Sequence, residues 1–389
     1  MRAPALLLAC ALASLPGCVA VTDTAVHAAG TAERARGATR LVAVFPVENL
    51  SGKPAPLDDV RRLLVERLTA SGFGVLADAA LERVAARHRV RYMAGVEAEF
   101  ARALGQEAGV EAILIPSLEV FEHASPPRIG LFARLVSTGE APAVLWVDGT
   151  GAAGDDAPGI LGLGLVEDSG ALLARAVDAL AGSLVGRLAA AAGPPGDTPG
   201  ARKFQPKIVY RAEALDPART YSIAVVPFFN RSARKYAGEI VALHLMRSLV
   251  AAENLSVVEP GIVRQELLRF RIIMTDGVSL ADTETILGAV NADLVLNGEV
   301  LEYQDPLGPT GAPRVDFSVL FIERRTRRVL YSSYSHNAGD DGVFFFDWGR
   351  VNTAHAMAAR MAQAVAERVR LASPTAELRR GPRDGEPRR

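Results

Sequence analysis

A chain of 389 residues is long enough for two or three domains and for a core that needs no covalent staples. Its 49% hydrophobic and 22% charged residues, with no apolar run long enough to span a bilayer, exclude a helical membrane bundle and a disordered chain alike. With 43 basic against 44 acidic groups, and only Lys53, Lys203, Lys207 and Lys235 as lysines, a polyanion-binding surface is excluded too, so no nucleic-acid partner is expected.

The chain begins with Met1-Arg2, continues in an apolar run from Ala3 to Leu15 and reaches Leu15-Pro16-Gly17-Cys18, the layout of a signal peptide over residues 1–17. The Leu-x-Gly-Cys ending resembles the lipobox of bacterial lipoproteins. That resemblance implies acylation of Cys18, which becomes the first residue of the mature chain and anchors it to the membrane. An ordinary secretory signal that ends near a cysteine is the plainer alternative. Cys10 leaves with the signal, so the mature chain has no second thiol for a disulfide. Val19, rather than Asp, after the cysteine resembles lipoproteins of the outer membrane, and the expected location is lipid-anchored there on the periplasmic face. Residues 18–39 then read as the lipidated cysteine and an aperiodic tether with a reach of about 25 Å.

The body is written twice. Val44-Phe45-Pro46-Val47-Glu48-Asn49-Leu50-Ser51 recurs as Val225-Val226-Pro227-Phe228-Phe229-Asn230-Arg231-Ser232, and Arg87-His88-Arg89 recurs as Arg269-Phe270-Arg271. Ala153-Gly154-Asp155-Asp156 returns as Ala338-Gly339-Asp340-Asp341, with an offset that drifts from 181 to 185 across the repeat. A slow drift over so long a period describes a tandem duplication with small loop insertions, not a solenoid. The expected domains are residues 40–192 and 220–372, joined by a Pro/Gly-rich linker at 193–219 and followed by a disordered basic tail at 373–389.

Each copy opens with a short apolar run, Leu41 to Val47 or Tyr221 to Phe228, expected as a buried central strand. A helix follows, with Leu57, Val60, Leu64 and Leu68 on one face, or Val241, Leu245 and Leu249 beside Ala242, Met246 and Val250. A short strand (Gly74 to Ala77; Leu255 to Glu259) and two further helices lead to a strand at Ala112 to Phe121 or Leu294 to Tyr303. The hairpin that comes next has arms at Ile129 to Val136 and Val144 to Val147, or Val315 to Glu323 and Val329 to Ser335, and a long helix closes each copy. The fold class is α/β (α+β): two tandem homologous domains, each a mixed sheet packed with helices in the order βαβαα, hairpin, α.

At these residues the chain resembles a known superfamily. The Pro-x-x-Asn-x-Ser strand end, the step through Leu68, Gly72, Phe73 and Val75, the run Ala292 to Gly298 and the hairpin endings Val144 to Trp146 and Val329 to Tyr331 carry the resemblance. They are similar to the periplasmic α/β domain shared by the curli secretion channel lipoprotein, lipoprotein activators of penicillin-binding proteins, a flagellar ring protein and the Tol-system propeller protein's N-terminal domain. The resemblance implies a non-enzymatic envelope lipoprotein whose domains bind protein partners or assemble into a homo-oligomer. Pro116-Ser117 stands where the second copy has Asn297-Gly298, so the second copy is expected to carry the family's type of contact surface.

Individual residues divide between site and scaffold. Asn49 with Ser51, and Asn230 with Ser232, suit a turn that bonds its own backbone. Asp155-Asp156 and Asp340-Asp341 read as solvated turns, since no spaced ligand series surrounds them. Arg87, Arg89, Arg269 and Arg271 suit bidentate recognition of carboxylate or phosphate on a partner, against surface ion pairs as the plainer reading. Phe344, Phe345, Phe346 and Trp348 form the densest aromatic cluster, either a docking patch or core beneath the last helix. The six histidines show no metal-ligand spacing, His244 and His355 reading as core or boundary residues of helices, and no nucleophile or phosphate-loop motif occurs. No cofactor, no metal and no enzyme activity are therefore expected. The function expected is a membrane-tethered protein-binding or assembly factor that engages envelope proteins. The alternative is a subunit of a secretion pore or ring, for which Val315, Phe317, Val319 and Phe321 would supply a lipid-facing strand.

Overall fold

The computed structural model describes residues 40–90, 94–140, 142–156, 164–189, 201–212, 219–252, 254–271, 277–278, 283–289, 291–306, 311–341, 343 and 350–369. In the first copy β1 (Leu41–Val44) and β2 (Glu48–Asn49) precede α1 (Leu57–Ala70), β3 (Gly74–Val75), α2 (Asp78–Arg87) and α3 (Ala98–Ala108). Then follow β4 (Ala112–Glu122), β5 (Arg128–Ser137), β6 (Val144–Ala153) and α4 (Ser169–Ala189). A 3-10 turn (Ala201–Phe204) and β7 (Ile208–Arg211) lie between the copies. The second copy repeats the order as β8 (Tyr221–Val225), β9 (Phe229–Asn230), α5 (Ala237–Val250), β10 (Leu255–Val257), α6 (Pro260–Arg269) and α7 (Thr283–Ala289). It ends with β11 (Leu294–Gln304), β12 (Arg314–Glu323), β13 (Val329–Ala338) and α8 (Ala354–Val369).

The duplication extends to strand register. The first sheet runs β3-β1-β4-β5-β6 and the second β10-β8-β11-β12-β13-β7, with β2 on β4 and β9 on β11. In both, the opening strand is parallel to its neighbours and the hairpin antiparallel. Even the irregularities coincide: β4 bulges against β5 between Leu118 and Val120, and β11 against β12 between the equivalent Val300 and Glu302. Pro116, inside β4, sits in the gap between the β1 and β2 pairings, which end at Leu114 and begin at Ser117, where its missing N–H leaves no ladder bond unmade.

Helices cover both faces of each sheet. On the first, α1 and α4 pack Leu64, Leu68, Val177 and Leu180 against Val44, Leu114 and Leu131. On the opposite face α2 and α3 pack Leu81, Phe100 and Leu104 against Phe45 and Ile113. The second sheet lays Ala224, Val226 and Val295 on α6 and α7, and Val225, Leu296, Phe317 and Phe321 on α5 and α8. This last layer also contains Leu50, Phe132 and Val147 of the first copy, and from Arg40 onward the chain is one compact unit.

The two first helices show what that sharing demands. In α1 the buried residues are Val60, Leu64 and Leu68, a single stripe with Asp58 and Asp59 at the positive helix start. In α5 ten residues are buried, including Ile240, Leu243 and His244 on the side opposite Val241 and Leu245. A helix apolar around most of its circumference has protein on both sides.

Three readings change. The β6 arm, expected to stop at Val147, runs to Ala153 and takes in Gly149 and Gly151. The Asn297-Gly298 step, the feature for which the second copy was expected to carry the family's type of contact surface, is itself buried: a Cβ on Gly298 would stand 2.4 Å from the Phe228 ring, so glycine there makes room for a core aromatic. The pore reading's lipid-facing set Val315, Phe317, Val319 and Phe321 is fully buried in the layer that holds α8.

Candidate functional site at the junction of the copies

Polar groups converge where α5 and α8 of the second copy lie across the first sheet. Glu119 occupies the β4 bulge, a device that re-aims one side chain out of the strand's alternation. Its Oε2 lies 2.5 Å from Nδ1 of His355, the second residue of α8, and 3.9 Å from Nε2 of His244 in α5. Its Oε1 accepts the hydroxyl hydrogen of Tyr303 on β11. Glu119, His244 and His355 are 0%, 1% and 2% exposed.

The surroundings explain how so many polar groups tolerate burial. Phe132 of β5 stands edge-on to His244 at 4.6 Å and tilted to His355 at 4.9 Å, and the two imidazoles meet edge-on at 4.7 Å. The His355 ring fits because the opposite wall has no side chains: a Cβ on Gly151 would come within 2.6 Å of its Cδ2, one on Gly149 within 3.2 Å of Cε1, and one on Gly130 within 3.3 Å of Nδ1. Among the described residues neither nitrogen of His244 has a hydrogen-bond partner. Burial, then the neighbouring His355 and Arg247, hold its pKa well below the usual imidazole value, so it is neutral. Burial, then the Glu119 and Asp305 carboxylates, raise the Tyr303 hydroxyl well above 10.0, and burial raises Asp305, whose Oδ1 accepts from the Ala354 N–H at the start of α8.

Further pairs fasten the junction on either side. Arg134 of β5 reaches Glu259, the N-cap of α6, at 3.3 Å, with both side chains buried. Glu259 Oε1 also accepts from the N–H groups of Val96, 3.2 Å, and Gly261, 3.3 Å. The backbones at Gly95 and Gly261 approach so closely that a Cβ on Gly261 would lie 2.3 Å from Val96 N. Arg234 donates to the backbone carbonyls of Ser51, 2.7 Å, and Glu119, while Arg247 pairs with Asp148 at 2.5 Å.

The site residues read from sequence lie elsewhere. Arg87 and Arg269 are the last residues of α2 and α6, paired with Glu107 and Glu266 respectively. Arg89 and Arg271 have φ of +54° and +57° and close the helix ends: Arg89 N–H bonds Ala86 O at 3.1 Å and Val90 N–H bonds Ala85 O at 2.9 Å, a Schellman pair, and Arg271 N–H bonds Leu268 O at 3.0 Å. The Arg-x-Arg signature thus marks a repeated helix stop. Asn49 and Asn230 form the same turn, each Oδ1 accepting from Ser51 or Ser232 N–H at 3.0 Å. Asp156 and Asp341 bond the N–H groups of Ala153 and Ala338 at 2.7 and 3.0 Å. Cys18, Phe344, Phe345, Phe346 and Trp348 lie outside the described residues.

Neither a protein-family model nor a curated protein matches this chain. Among solved structures it is similar to the PelC dodecamer from Paraburkholderia phytofirmans, with 16% identity and a TM-score of 0.29 over 42% of this chain and 96% of that one. It is also similar to a lipoprotein from Neisseria meningitidis, 18% identical with a TM-score of 0.28 over 39% and 99% of the two chains. The LpoB C-terminal domain from Salmonella enterica is 15% identical with a TM-score of 0.25 over 32% and 90%.

Proposed function

We propose that this chain is a non-enzymatic lipoprotein of the bacterial envelope, held in the outer membrane through Cys18, whose paired α/β copies form a platform for binding or assembling other envelope proteins. The observation that carries the binding role is β7, the edge strand of the second sheet. Its Ile208, Val209 and Tyr210 are 66%, 41% and 55% exposed. Among the described residues nothing pairs with its outer edge. A strand with one open edge and apolar side chains on both faces is a template for strand addition by an extended partner segment, and isolated proteins usually blunt such an edge. The lipobox-like N-terminus supports the address, and the buried junction supports both copies acting as one body. Among the described residues no helix is long and apolar enough to cross a membrane.

Affinity capture of the lipidated chain from native membranes tests this reading. Specific envelope proteins are expected with the wild type and not with Ile208→Lys combined with Tyr210→Lys, a change confined to exposed positions. Wild-type capture indistinguishable from a no-bait control removes the proposal's support. Equal capture by both forms moves the contact away from β7.

A further inference from the structure

We infer that Glu119, His244 and His355 form a zinc-class metal site that clamps the two copies together. One carboxylate oxygen and two imidazole nitrogens lie within 4.8 Å of one another, all buried. Two imidazoles and a carboxylate are a donor set for a divalent transition cation of borderline softness. Such an ion holds its ligands at about 2.0–2.2 Å, hence about 3.3 Å apart at tetrahedral angles. The 2.5 Å and 3.9 Å separations around Glu119 Oε2 bracket that spacing, and loading draws the three ligand atoms, which span up to 4.8 Å, together by at most about 1.5 Å.

His244 points independently to a ligand. A fully buried imidazole with neither nitrogen bonded to any described residue leaves the desolvation of its polar atoms uncompensated, and native interiors rarely tolerate that. A hydroxyl or carbonyl placed opposite would have removed the problem. Instead its Nε2 faces a carboxylate already held by another imidazole, at a separation too long for a hydrogen bond and within reach of a shared ion. Tyr303 supplies the outer shell: its hydroxyl fixes Glu119 Oε1 and leaves Oε2 for the metal. Phe132 shields the site, and the glycine wall of β5 and β6 sets the His355 ring. One ligand comes from the first copy and two from the second, so the ion stabilises their junction by mass action.

The test uses the mature lipidated chain in detergent, stripped with chelator and titrated with zinc sulfate. About one zinc per chain is expected to survive gel filtration, and Tm is expected to rise by about 5 °C at a hundredfold excess over Kd. His244→Leu is expected to lose both effects while its metal-free Tm stays at or above the wild-type value. Tyr303→Phe, which removes no ligand, is expected to weaken zinc affinity about tenfold or more, a change that a purely packing role for the hydroxyl would not produce. Cobalt(II) on the unaltered chain is expected to develop the intense visible bands of a tetrahedral centre, a readout that needs no variant to fold. Stripped wild type that neither takes up zinc nor develops those bands overturns the proposal, and so does folded His244→Leu that binds zinc as the wild type does.

Discussion

At the scale of single residues, the junction depends on charges that cannot leave their partners. Arg134 and Glu259 are both buried, and truncating one member strands the other in a medium that solvates it poorly. Arg134→Met is therefore expected to lower unfolding free energy by about 3–5 kcal/mol, read from urea denaturation, whereas cutting the exposed Arg62–Glu66 pair should cost under about 1 kcal/mol. Asp293 offers a pH test. Hydrogen bonds from Ser222 N–H and its hydroxyl, then Arg219, hold its carboxyl below the usual 3.8. A depressed native pKa stabilises the fold above the unfolded value, and that contribution is lost as pH falls through the native value. Asp293→Asn should therefore be less stable than wild type at pH 7, with the gap in urea midpoint narrowing as the solution is acidified below 3.8. With its side chain 37% exposed and screened by solvent, the group gives a small gap.

At the scale of elements, the sequence was legible where structure is local. Apolar runs, amphipathic stripes and turn chemistry sufficed for the order of strands and helices, and the repeat made each copy a check on the other. The junction was illegible because its members belong to no motif: Glu119 and His355 stand 236 residues apart. A usable signal did exist in the differences between the copies. Where α1 has Asp59, Arg62, Leu63 and Glu66, α5 has Ile240, Leu243, His244 and Arg247, the change from a solvated face to a covered one. Gly149 and Gly151 lie in the part of β6 beyond Val147, where glycine marks a close backbone approach. That makes them testable. Gly151→Ala puts a Cβ 2.6 Å from the His355 ring and is expected to cost about 1–3 kcal/mol. In a His355→Ala background the same change should cost little, so a double-mutant cycle is expected to return a coupling of at least about 1 kcal/mol.

At the scale of the whole molecule, duplication does not imply indefinite stacking. The first sheet receives α5 and α8 on a surface made of Gly130, Phe132, Gly149 and Gly151. The register places Asp316, Ser318, Tyr334 and His336 at the equivalent points of the second sheet. There Tyr334 donates to Asp316 at 2.8 Å and His336 pairs with the same carboxylate at 3.3 Å, and Leu301, the counterpart of Glu119, is 41% exposed. Among the described residues nothing on that face is shaped to accept another histidine-bearing helix, and the outer face of α1, with Arg62 paired to Asp59 and Glu66, offers none. Among the described residues, copy-on-copy packing in this mode thus joins the two copies of one chain and finds no matching face for a third. The first copy also depends on the second, because Leu50, Phe132 and Val147 are buried only in the shared layer. A protease site placed between Pro195 and Gly196, in the Pro/Gly-rich segment, separates cause from connectivity. If the junction holds the molecule together, the cleaved halves are expected to co-elute on gel filtration as one species of unchanged size and to separate only in denaturant. Residues 40–192 produced alone are expected to aggregate or to expose apolar surface to a hydrophobic dye. Halves that separate on cleavage while both stay folded would show that the linker, and not the buried Arg134–Glu259 and Glu119–His355 contacts, keeps the copies together.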